Sequence, residues 1–211
     1  MAVNTLFDIE TEVKEPTVIV GMDEAGRGPL AGPVYAAAVI LPKDFPFEVL
    51  DDSKKLNFKK REIAEKVIKE KAIAYAVCFA TAGEIDEINI LWASMLAMKR
   101  AFTKVNEAYS GTIDIAYADG NRTPDLPIRC EAIVKGDSKV HEIMAASILA
   151  KNERDRIMLL CDKKWPQYGF KKHMGYPTKL HRQVLEEFGP CPIHRKSFTF
   201  KKVDAKQMDL F

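Results

Sequence analysis

The sequence predicts an α/β protein in which a mixed β-sheet is flanked by helices and covered by a helical carboxy-terminal cap. Apolar runs of strand length alternate with helical patterns up to about residue 135, and helices dominate beyond it, which is typical of a layered α/β fold. The 211 residues, 47% hydrophobic and 29% charged, suit one domain with an ample core. We place this domain at residues 17–200, with the basic cap beginning near residue 137, between an acidic segment (1–16) and a tail (201–211).

Strands are predicted where short apolar runs stop at glycine or proline. Residues 17–22 form the first run, and residues 34–41 form the second, which ends at Pro42. Between them, residues 26–33 contain three glycines and two prolines, a composition that predicts a compact turn rather than a helix. Three further strands are predicted at residues 72–80, 112–118 and 129–134.

Helices are predicted where apolar residues recur three and four positions apart. The second predicted helix has a break near Asn89, and the third contains the small residues 145–147, which let a neighbouring backbone approach closely. In the last, Pro177 lies in the first turn and Gly189 lies just past the end. The predicted helices span residues 58–71, 84–109, 140–161 and 177–188.

Two adjacent acids, Asp23 and Glu24, follow the first apolar run and precede Gly26 and Gly28. Adjacent residues on a regular strand face opposite sides, so the two carboxylates converge only if the chain turns after Asp23. The glycines make such a turn possible. Acids at the end of a buried strand are costly unless a cation compensates them. Alternatively, the two acids cap the next turn or pair with Arg27.

Asp119 occupies the same position after another predicted strand, residues 112–118. If the two strands are parallel neighbours, their carboxyl ends lie about 4.8 Å apart, at the edge where open α/β sheets bind ligands. Asp137 lies just ahead of the long helix, where the alternative role is a helix cap. With the Asp23–Glu24 pair, these acids predict an oxygen-rich site for Mg²⁺ or Mn²⁺. Two such ions can catalyse phosphodiester hydrolysis.

Charge is distributed unevenly along the chain. Residues 135–202 hold 15 Lys and Arg against 7 Asp and Glu, whereas residues 1–134 hold 16 against 21. A basic carboxy-terminal third favours a polyanionic partner, above all nucleic acid. The alternative is a charged face that is simply solvated.

Several sequence features bear on the cellular compartment. The longest apolar run, residues 72–80, has nine residues, well short of the ~18–20 that cross a bilayer. The first fifteen residues lack the basic-then-apolar order of a signal peptide. The cysteines have no CxxC spacing, so free thiols are expected. We therefore expect a cytoplasmic protein without a membrane span.

Several motifs in a fixed order resemble those of the ribonuclease HII family, the type 2 ribonucleases H. The stretch 21–34, GMDEAGRGPLAGPV, is similar to the opening signature of the family. The similarity runs from about residue 17 to residue 200, with lesser departures at Met174 and Asn152. The other matching motifs are DSKKL (52–56), ADG (118–120), KGDSK (135–139), AASILAK (145–151), RD (154–155), HMGYPT (173–178) and HR (194–195).

The resemblance implies a ribonuclease-H-like sheet and a divalent-metal-dependent endonuclease. Such an enzyme hydrolyses the RNA strand of RNA–DNA hybrids and nicks DNA on the 5′ side of embedded single ribonucleotides, leaving 3′-hydroxyl and 5′-phosphate ends. Its role would be the removal of ribonucleotides from DNA. Carried over by position, the catalytic residues that bind Mg²⁺ or Mn²⁺, with two ions during catalysis, would be Asp23, Glu24, Asp119 and Asp137.

The same resemblance implies how RNA is recognised. The backbone of Gly26, Arg27 and Gly28 would meet the ribose 2′-hydroxyl, which is the local mark of RNA in a duplex. Tyr176 would stack on the next deoxyribose; taken alone, it could equally be a partly buried core residue. Lys54 and Lys55 resemble the phosphate-contacting positions of the family, although taken alone they could be solvated side chains. In the basic third, Lys151, Arg154 and Arg195 would hold the duplex backbone, and their spacing leaves open which of them touch phosphate.

The last five residues, QMDLF, place two apolar side chains at the end of a polar tail. Short peptides of this kind dock in hydrophobic grooves, and this one resembles the motif with which bacterial DNA-processing enzymes bind the replication sliding clamp. Gln207, Leu210 and Phe211 would make the contact. The alternative is a frayed terminus.

Two other functions compete with this interpretation. One is a type 3 ribonuclease H, which acts on longer hybrids, and the Gly-Arg-Gly turn paired with Tyr176 favours type 2 over it. The other is a non-catalytic module that binds hybrids and recruits partners to the clamp. The complete acidic set argues against that module, because carboxylates near a phosphate repel it unless metal ions neutralise them.

Overall fold

The structure, a computed structural model, describes residues 18–50 and 58–198. Within these ranges five strands form one sheet in the order β3-β2-β1-β4-β5. The strands are β1 Ile19–Ala25, β2 Val34–Ile40, β3 Ala74–Ala80, β4 Ile115–Asp119 and β5 Cys130–Ile133. The helices are α1 Phe58–Lys71, α2 Ala82–Ala108, α3 His141–Lys164, α4 Phe170–His173 and α5 Lys179–Phe188. Short 3₁₀ turns lie at Phe47–Leu50, Gly136–Ser138 and Pro166–Tyr168.

The sheet is mixed, which confirms the predicted fold class. β2 pairs antiparallel with both β1 and β3, whereas β4 pairs parallel with both β1 and β5. The register of β1 and β4 sets Met22 opposite Ala118. The next residues are Asp23 and Asp119, so the parallel pairing brings these two acids to the same edge of the sheet. The expectation that the two strands are parallel neighbours is therefore confirmed.

Helices cover both faces of the sheet. β2 is buried along its whole length, and its side chains alternate between two cores. Ala36 and Ala38 pack in the cluster that includes α2, whereas Ala37 and Val39 pack in the cluster that includes α1 and α3. Because successive strand residues face opposite sides, the continuous apolar run of β2 is what a helix–sheet–helix sandwich requires.

The first turn of α3 lies directly on β1. Ala145 and Ala146 are fully buried, which agrees with the close approach predicted for this stretch. Gly21 marks the nearest contact, because a Cβ added there would lie 2.3 Å from the carbonyl carbon of Glu142 and 2.4 Å from the amide nitrogen of Ile143. Only a residue without a side chain fits at this point. Gly21 therefore sets the distance between α3 and the strand end that carries the first two acids.

The strand boundaries differ from the predictions by a few residues. β1 continues through Ala25 instead of ending at Met22, because β2 stays paired with it that far. The predicted turn directly after Asp23 is therefore wrong, and both acids of the pair lie within the strand. β3 and β4 begin later than predicted, at Ala74 and Ile115.

Capping side chains explain where two helices start. α2 begins after Thr81, whose hydroxyl accepts a hydrogen bond from Glu84 N–H in a reciprocal capping box. The predicted break in this helix is confirmed by Asn89, which has a φ of 62°. α5 begins after Thr178, which caps it, so the prediction that Pro177 lies in its first turn is wrong.

The basic carboxy-terminal third forms the predicted helical cap and packs on the loop 26–33. A buried cluster joins Ala31 of that loop to residues of α3, α4 and the last 3₁₀ turn. The backbone of the loop is also tied to the cap, because Leu30 N–H donates to the carbonyl of Gly175 and Gly32 N–H donates to that of Ile193, both at 2.8 Å. The loop is thus held between the sheet and the cap.

The four cysteines, Cys78, Cys130, Cys161 and Cys191, are free thiols. Burial raises the pKa of each of them, for Cys130 to about 11, so they are protonated at neutral pH and poor nucleophiles. Among the described residues, no helix has the length and apolar character needed to cross a membrane.

We predict that Gly21→Ala destabilises the protein, because the new methyl group overlaps the backbone of α3. The expected loss in the free energy of unfolding is about 2 kcal/mol or more, measured by urea denaturation followed by circular dichroism. The matched control is Gly83→Ala in the first turn of α2, where a Cβ comes no closer than 3.8 Å to another residue's side chain. That variant should be neutral or slightly stabilised; equal stability of the two variants would contradict the packing argument.

Candidate active site

The four predicted carboxylates gather at the carboxyl edge of the two parallel strands. Asp23 and Glu24 lie near the end of β1, and Asp119 ends β4. Asp137 lies in the 3₁₀ turn that precedes α3. Asp119 holds this turn, since its Oδ1 accepts hydrogen bonds from the backbone N–H of Gly136 at 2.7 Å and of Asp137 at 3.4 Å. Two strand ends and one turn therefore build a single acidic site.

The surroundings of Asp23 disfavour its ionised form. Its side chain is buried, and burial raises its pKa well above the usual range, with further increases from the charges of Glu24 and Asp119. Hydrogen bonds from Ser147 of α3 and from the backbone N–H of Glu24, the latter at 2.7 Å, act in the opposite direction. The hydrogen bonds that the protein supplies therefore only partly stabilise the ionised form of Asp23.

Glu24 shows the same imbalance in a milder form. Burial raises its pKa, and the nearby charge of Asp119 raises it further. Arg27 opposes this through an ion pair of 3.1 Å with Oε1 of Glu24. The second oxygen, Oε2, is buried and accepts no hydrogen bond, although buried carboxylate oxygens are normally satisfied. An unsatisfied oxygen beside two other carboxylates is what a bound cation would complete.

The chemistry of this donor set fits a hard divalent cation. Carboxylate oxygens are the ligands that Mg²⁺ and Mn²⁺ prefer. A positive ion would stabilise the ionised forms of Asp23 and Glu24, whose pKa values are raised first by burial and then by neighbouring carboxylates. In residues 18–50 and 58–198, no three His, Cys, Asp or Glu side chains stand at ligating distance of one point. The four carboxylates therefore lie on neighbouring elements without forming a ready-made ligand cluster.

The loop after β1 is shaped by Arg195. This side chain is fully buried, and its guanidinium donates to three carbonyls: from Nε to Gly32 at 2.9 Å, from Nη1 to Arg27 at 2.8 Å and from Nη2 to Gly26 at 2.6 Å. A side chain in this position is out of reach of a phosphate group. We therefore correct its predicted role from phosphate contact to support of the loop.

Arg154 of α3 supports the same loop from another side and is also fully buried. Its guanidinium donates to the carbonyls of Pro33 and Ala31, both at 3.3 Å, and of Met174 at 3.0 Å. A Cβ at Gly26 would lie 2.0 Å from its Nε, so this glycine, with a φ of 100°, makes room for the arginine. The predicted phosphate contact of Arg154 is corrected in the same way.

Tyr176 lies beside the loop, as the sequence interpretation requires. Its side chain is 41% exposed, and its ring atom Cε1 is 3.5 Å from where a Cβ would stand on Gly28. The guanidinium of Arg154 lies 5.8 Å from the ring centroid. The structure thus forms one surface from the two elements that were predicted to read the ribose and the following deoxyribose.

The remaining predicted contacts fall into two groups. Lys151 is partly exposed and forms an ion pair of 2.7 Å with Asp155, which leaves it near the surface of α3. The other predicted residues lie outside the described residues, namely Lys54, Lys55, Gln207, Leu210 and Phe211.

Two kinds of side chain that support the site were not predicted from the sequence, namely the hydroxyl of Ser147 and the buried arginines. The hydroxyl of Ser147, which stabilises the Asp23 carboxylate, was interpreted only as a small packing residue; a polar residue beside two alanines on a buried helix face was the available signal. Buried arginines were interpreted as part of a basic surface. A sequence motif that contains an arginine carries no information on whether that arginine is buried.

We predict that Arg195→Met destabilises the protein by roughly 2–4 kcal/mol, because three buried carbonyls lose their donor. Chemical denaturation measures this loss, and Lys196→Met, which changes an exposed neighbour, is the matched control. The salt dependence of affinity for an RNA–DNA duplex should keep its slope in Arg195→Met. A fully stable variant whose slope falls by about one would instead indicate a lost phosphate contact.

Comparison with known proteins identifies the family. The family model described as Ribonuclease HII matches residues 20–201. The Ribonuclease HII of Dechloromonas aromatica is 54% identical over 181 residues, covering 86% of this chain and 90% of the relative.

Solved structures agree with this result. The structure of the PCNA:RNase HII complex from Archaeoglobus fulgidus superposes with a TM-score of 0.71 at 25% identity, over 90% of this chain and 99% of that one. Bst-RNase HIII in complex with Mn²⁺ superposes with a TM-score of 0.68 over 82% of this chain and 63% of that one, and its 18% identity shows the fold alone. The chain therefore belongs to the ribonuclease HII family, hydrolases that act as type 2 ribonuclease H endonucleases.

Proposed function

We propose that this enzyme hydrolyses the RNA strand of RNA–DNA hybrids and nicks DNA on the 5′ side of embedded single ribonucleotides, leaving 3′-hydroxyl and 5′-phosphate ends. One observation carries the proposal: the acidic edge of β1 and β4 lies beside a surface made of the Gly26–Gly28 loop and Tyr176. The acidic edge can act on a phosphodiester, and the loop with Tyr176 can distinguish ribose from deoxyribose on either side of it. Removal of ribonucleotides from DNA is the corresponding role.

The carboxylates supply the metal site in this proposal. Asp23, Glu24, Asp119 and Asp137 would hold Mg²⁺ or Mn²⁺, with two ions during catalysis. Such ions, when bound, activate water and stabilise the leaving oxygen in phosphodiester hydrolysis. The protein holds the acids in place through the β1–β4 pairing and the Asp119 hydrogen bonds to the turn. The Mn²⁺ complex of the structurally similar ribonuclease HIII supports a divalent ion at this fold.

The two buried arginines orient the loop for contact with the ribose. Arg195 draws the carbonyls of Gly26 and Arg27 towards the protein interior. In a trans peptide the N–H points opposite to the carbonyl, and the described chain has no cis peptides. The N–H groups of Arg27 and Gly28 are therefore directed away from Arg195, where they can donate to a 2′-hydroxyl, the group that distinguishes RNA from DNA.

Tyr176 would test the next sugar. An exposed ring held against Gly28 provides a flat apolar surface, which packs well on a deoxyribose but leaves a 2′-hydroxyl without a partner. A DNA–RNA junction with one ribonucleotide satisfies both parts of the surface. Lys151, Lys54 and Lys55 would hold the duplex backbone, which gives affinity without sequence preference.

A sliding clamp is the proposed protein partner. The Archaeoglobus fulgidus ribonuclease HII forms a complex with the clamp PCNA, and the tail of this chain ends in QMDLF. We propose that Gln207, Leu210 and Phe211 dock in a hydrophobic groove of the clamp. Because the proposed substrate is DNA and the tail resembles a bacterial clamp-binding motif, we place the enzyme in the cytoplasm.

We predict that Asp23→Asn separates activity from stability. Nicking of a duplex with one ribonucleotide should fall by at least about 100-fold, since even indirect damage to a metal site costs 10–100-fold. The metal-free variant should be at least as stable as the wild type at pH 7. The pKa of Asp23 is raised on folding, so its ionised form opposes folding above the unfolded pKa, and this cost disappears in the variant.

Thermal melting at pH 7 and pH 4 measures the stability difference, which should shrink at pH 4. The control is Asp125→Asn, which changes an exposed aspartate with an ordinary surface ion pair. Full activity of Asp23→Asn with Mg²⁺ or Mn²⁺ would overturn the proposed metal site.

We predict that Tyr176→Ala reduces cleavage at a single ribonucleotide more than cleavage of a long hybrid, because only the junction offers a deoxyribose to the ring. The ratio of kcat/KM for the two substrates should fall by about tenfold, a loss similar to one aromatic stacking contact. Tyr176→Phe keeps the ring and should keep the ratio. An unchanged ratio in Tyr176→Ala would contradict the proposed recognition of the junction.

A further inference from the structure

Three buried histidines in the helical cap have no role in the proposed chemistry. His173 ends α4, His181 lies in α5 and His194 follows α5, and they are 7%, 0% and 2% exposed. The rings of His173 and His181 stack with centroids 4.3 Å apart. The rings of His181 and His194 meet at a distance of 3.1 Å between their Nε2 atoms.

The hydrogen-bond partners determine where the proton of each ring lies. Nδ1 of His181 lies 2.9 Å from the carbonyl oxygen of Tyr176. An oxygen of this kind only accepts, so Nδ1 of His181 carries the proton and its Nε2 must accept. Because Nε2 of His181 accepts, Nε2 of His194 must donate to it. Nδ1 of His194 then accepts from Cys191 N–H at 2.9 Å, with the Cys191 thiol at 3.1 Å and the Cys191 carbonyl oxygen at 3.3 Å also nearby.

The third histidine fits the same scheme. Gly175 N–H donates to Nδ1 of His173 at 3.2 Å, so Nε2 of His173 carries the proton and donates to the carbonyl of Tyr168 at 3.0 Å. All three rings are neutral in this network, with one donor and one acceptor nitrogen each. Burial lowers the pKa of all three, for His181 to about 4, which keeps the network neutral at physiological pH.

The histidine network binds the backbone of Tyr176 and of its neighbour Gly175. His181 binds the carbonyl of Tyr176, and His173 binds the adjacent N–H of Gly175. Gly175 is also bound to the loop 26–33, because its carbonyl accepts a hydrogen bond from Leu30 N–H at 2.8 Å. The position of Tyr176 relative to Gly28 therefore depends on the histidines as well as on the arginines.

We propose that His181, oriented by His194, is a positioning residue that fixes Tyr176 against Gly28 and so sets the preference for a single ribonucleotide over a long hybrid. This inference rests on the proposed function of Tyr176. His181 itself touches neither the substrate nor the metal site. The titratable groups that face the three rings from outside the network are Asp162 of α3 next to His173, and Tyr168 and Cys191 next to His194.

Two amide substitutions separate the two hydrogen bonds of His181. In His181→Asn the side-chain N–H₂ occupies roughly the place of Nδ1 and can still donate to the Tyr176 carbonyl. In His181→Gln the amide occupies roughly the place of Nε2, which keeps the contact with His194 and loses the bond to Tyr176. His181→Leu loses both.

The measurement is the ratio of kcat/KM for a one-ribonucleotide duplex and a long RNA–DNA hybrid. We expect His181→Gln and His181→Leu to lower this ratio by about tenfold, the usual effect of one lost hydrogen bond, and His181→Asn to keep it within about twofold. If a variant only loses stability, both substrates are cleaved more slowly and the ratio stays unchanged. The ratio also stays unchanged if the bond to Tyr176 has no effect on recognition. An unchanged ratio would therefore overturn the proposal.

Tyr176→Ala serves as the reference. If it lowers the ratio while His181→Gln does not, the positioning role fails and the proposed function stands. If Tyr176→Ala itself leaves the ratio unchanged, the proposed function of the tyrosine fails first.

A second measurement needs no variant. Nitrogen-15 NMR of the wild-type enzyme at pH 7.5 distinguishes the two ring tautomers of each histidine. We expect the proton on Nδ1 of His181 and on Nε2 of His173 and His194. A proton on Nε2 of His181 would remove its bond to Tyr176 and overturn the proposal even if the variants do not fold.

Discussion

The cost of burying ionised carboxylates next to one another is the constraint on which the active site depends. The parallel pairing of β1 with β4 brings Asp23 and Asp119 to one edge of the sheet, and burial raises the pKa of Asp23 and of Glu24. The protein offsets this only in part, through the hydroxyl of Ser147 and the guanidinium of Arg27. A divalent ion would offset the remaining cost of this buried negative charge.

Positive charge in this protein supports shape as well as nucleic-acid affinity. Arg154 and Arg195 are fully buried and donate to backbone carbonyls rather than to acids. Such charge-assisted bonds are stronger than bonds between neutral groups, which suits a glycine-rich loop with little conformational preference of its own. The arginines on one side and the histidine network on the other fix the loop and Tyr176 as one rigid surface.

Local sequence patterns were enough to predict much of the fold and the positions of the acidic residues. The apolar runs before Asp23 and Asp119 predicted two strand ends, because an apolar run that is followed by acidic residues and a glycine is typical of the end of a buried strand. The course of β1 was mispredicted, since pairing with β2 continues to Ala25 and pairing is a tertiary effect. The roles of Arg195 and His181 could not be predicted, because a charged or titratable side chain looks the same in the sequence whether it is buried or exposed.

Anomalous X-ray scattering from crystals of the wild-type protein soaked in Mn²⁺ would locate the bound ion independently of activity. We predict an anomalous peak at the carboxyl edge of β1 and β4, from an ion bound by oxygens of Asp23, Glu24, Asp119 and Asp137. A Mn²⁺ ion bound elsewhere, with no peak among these four carboxylates, would contradict it.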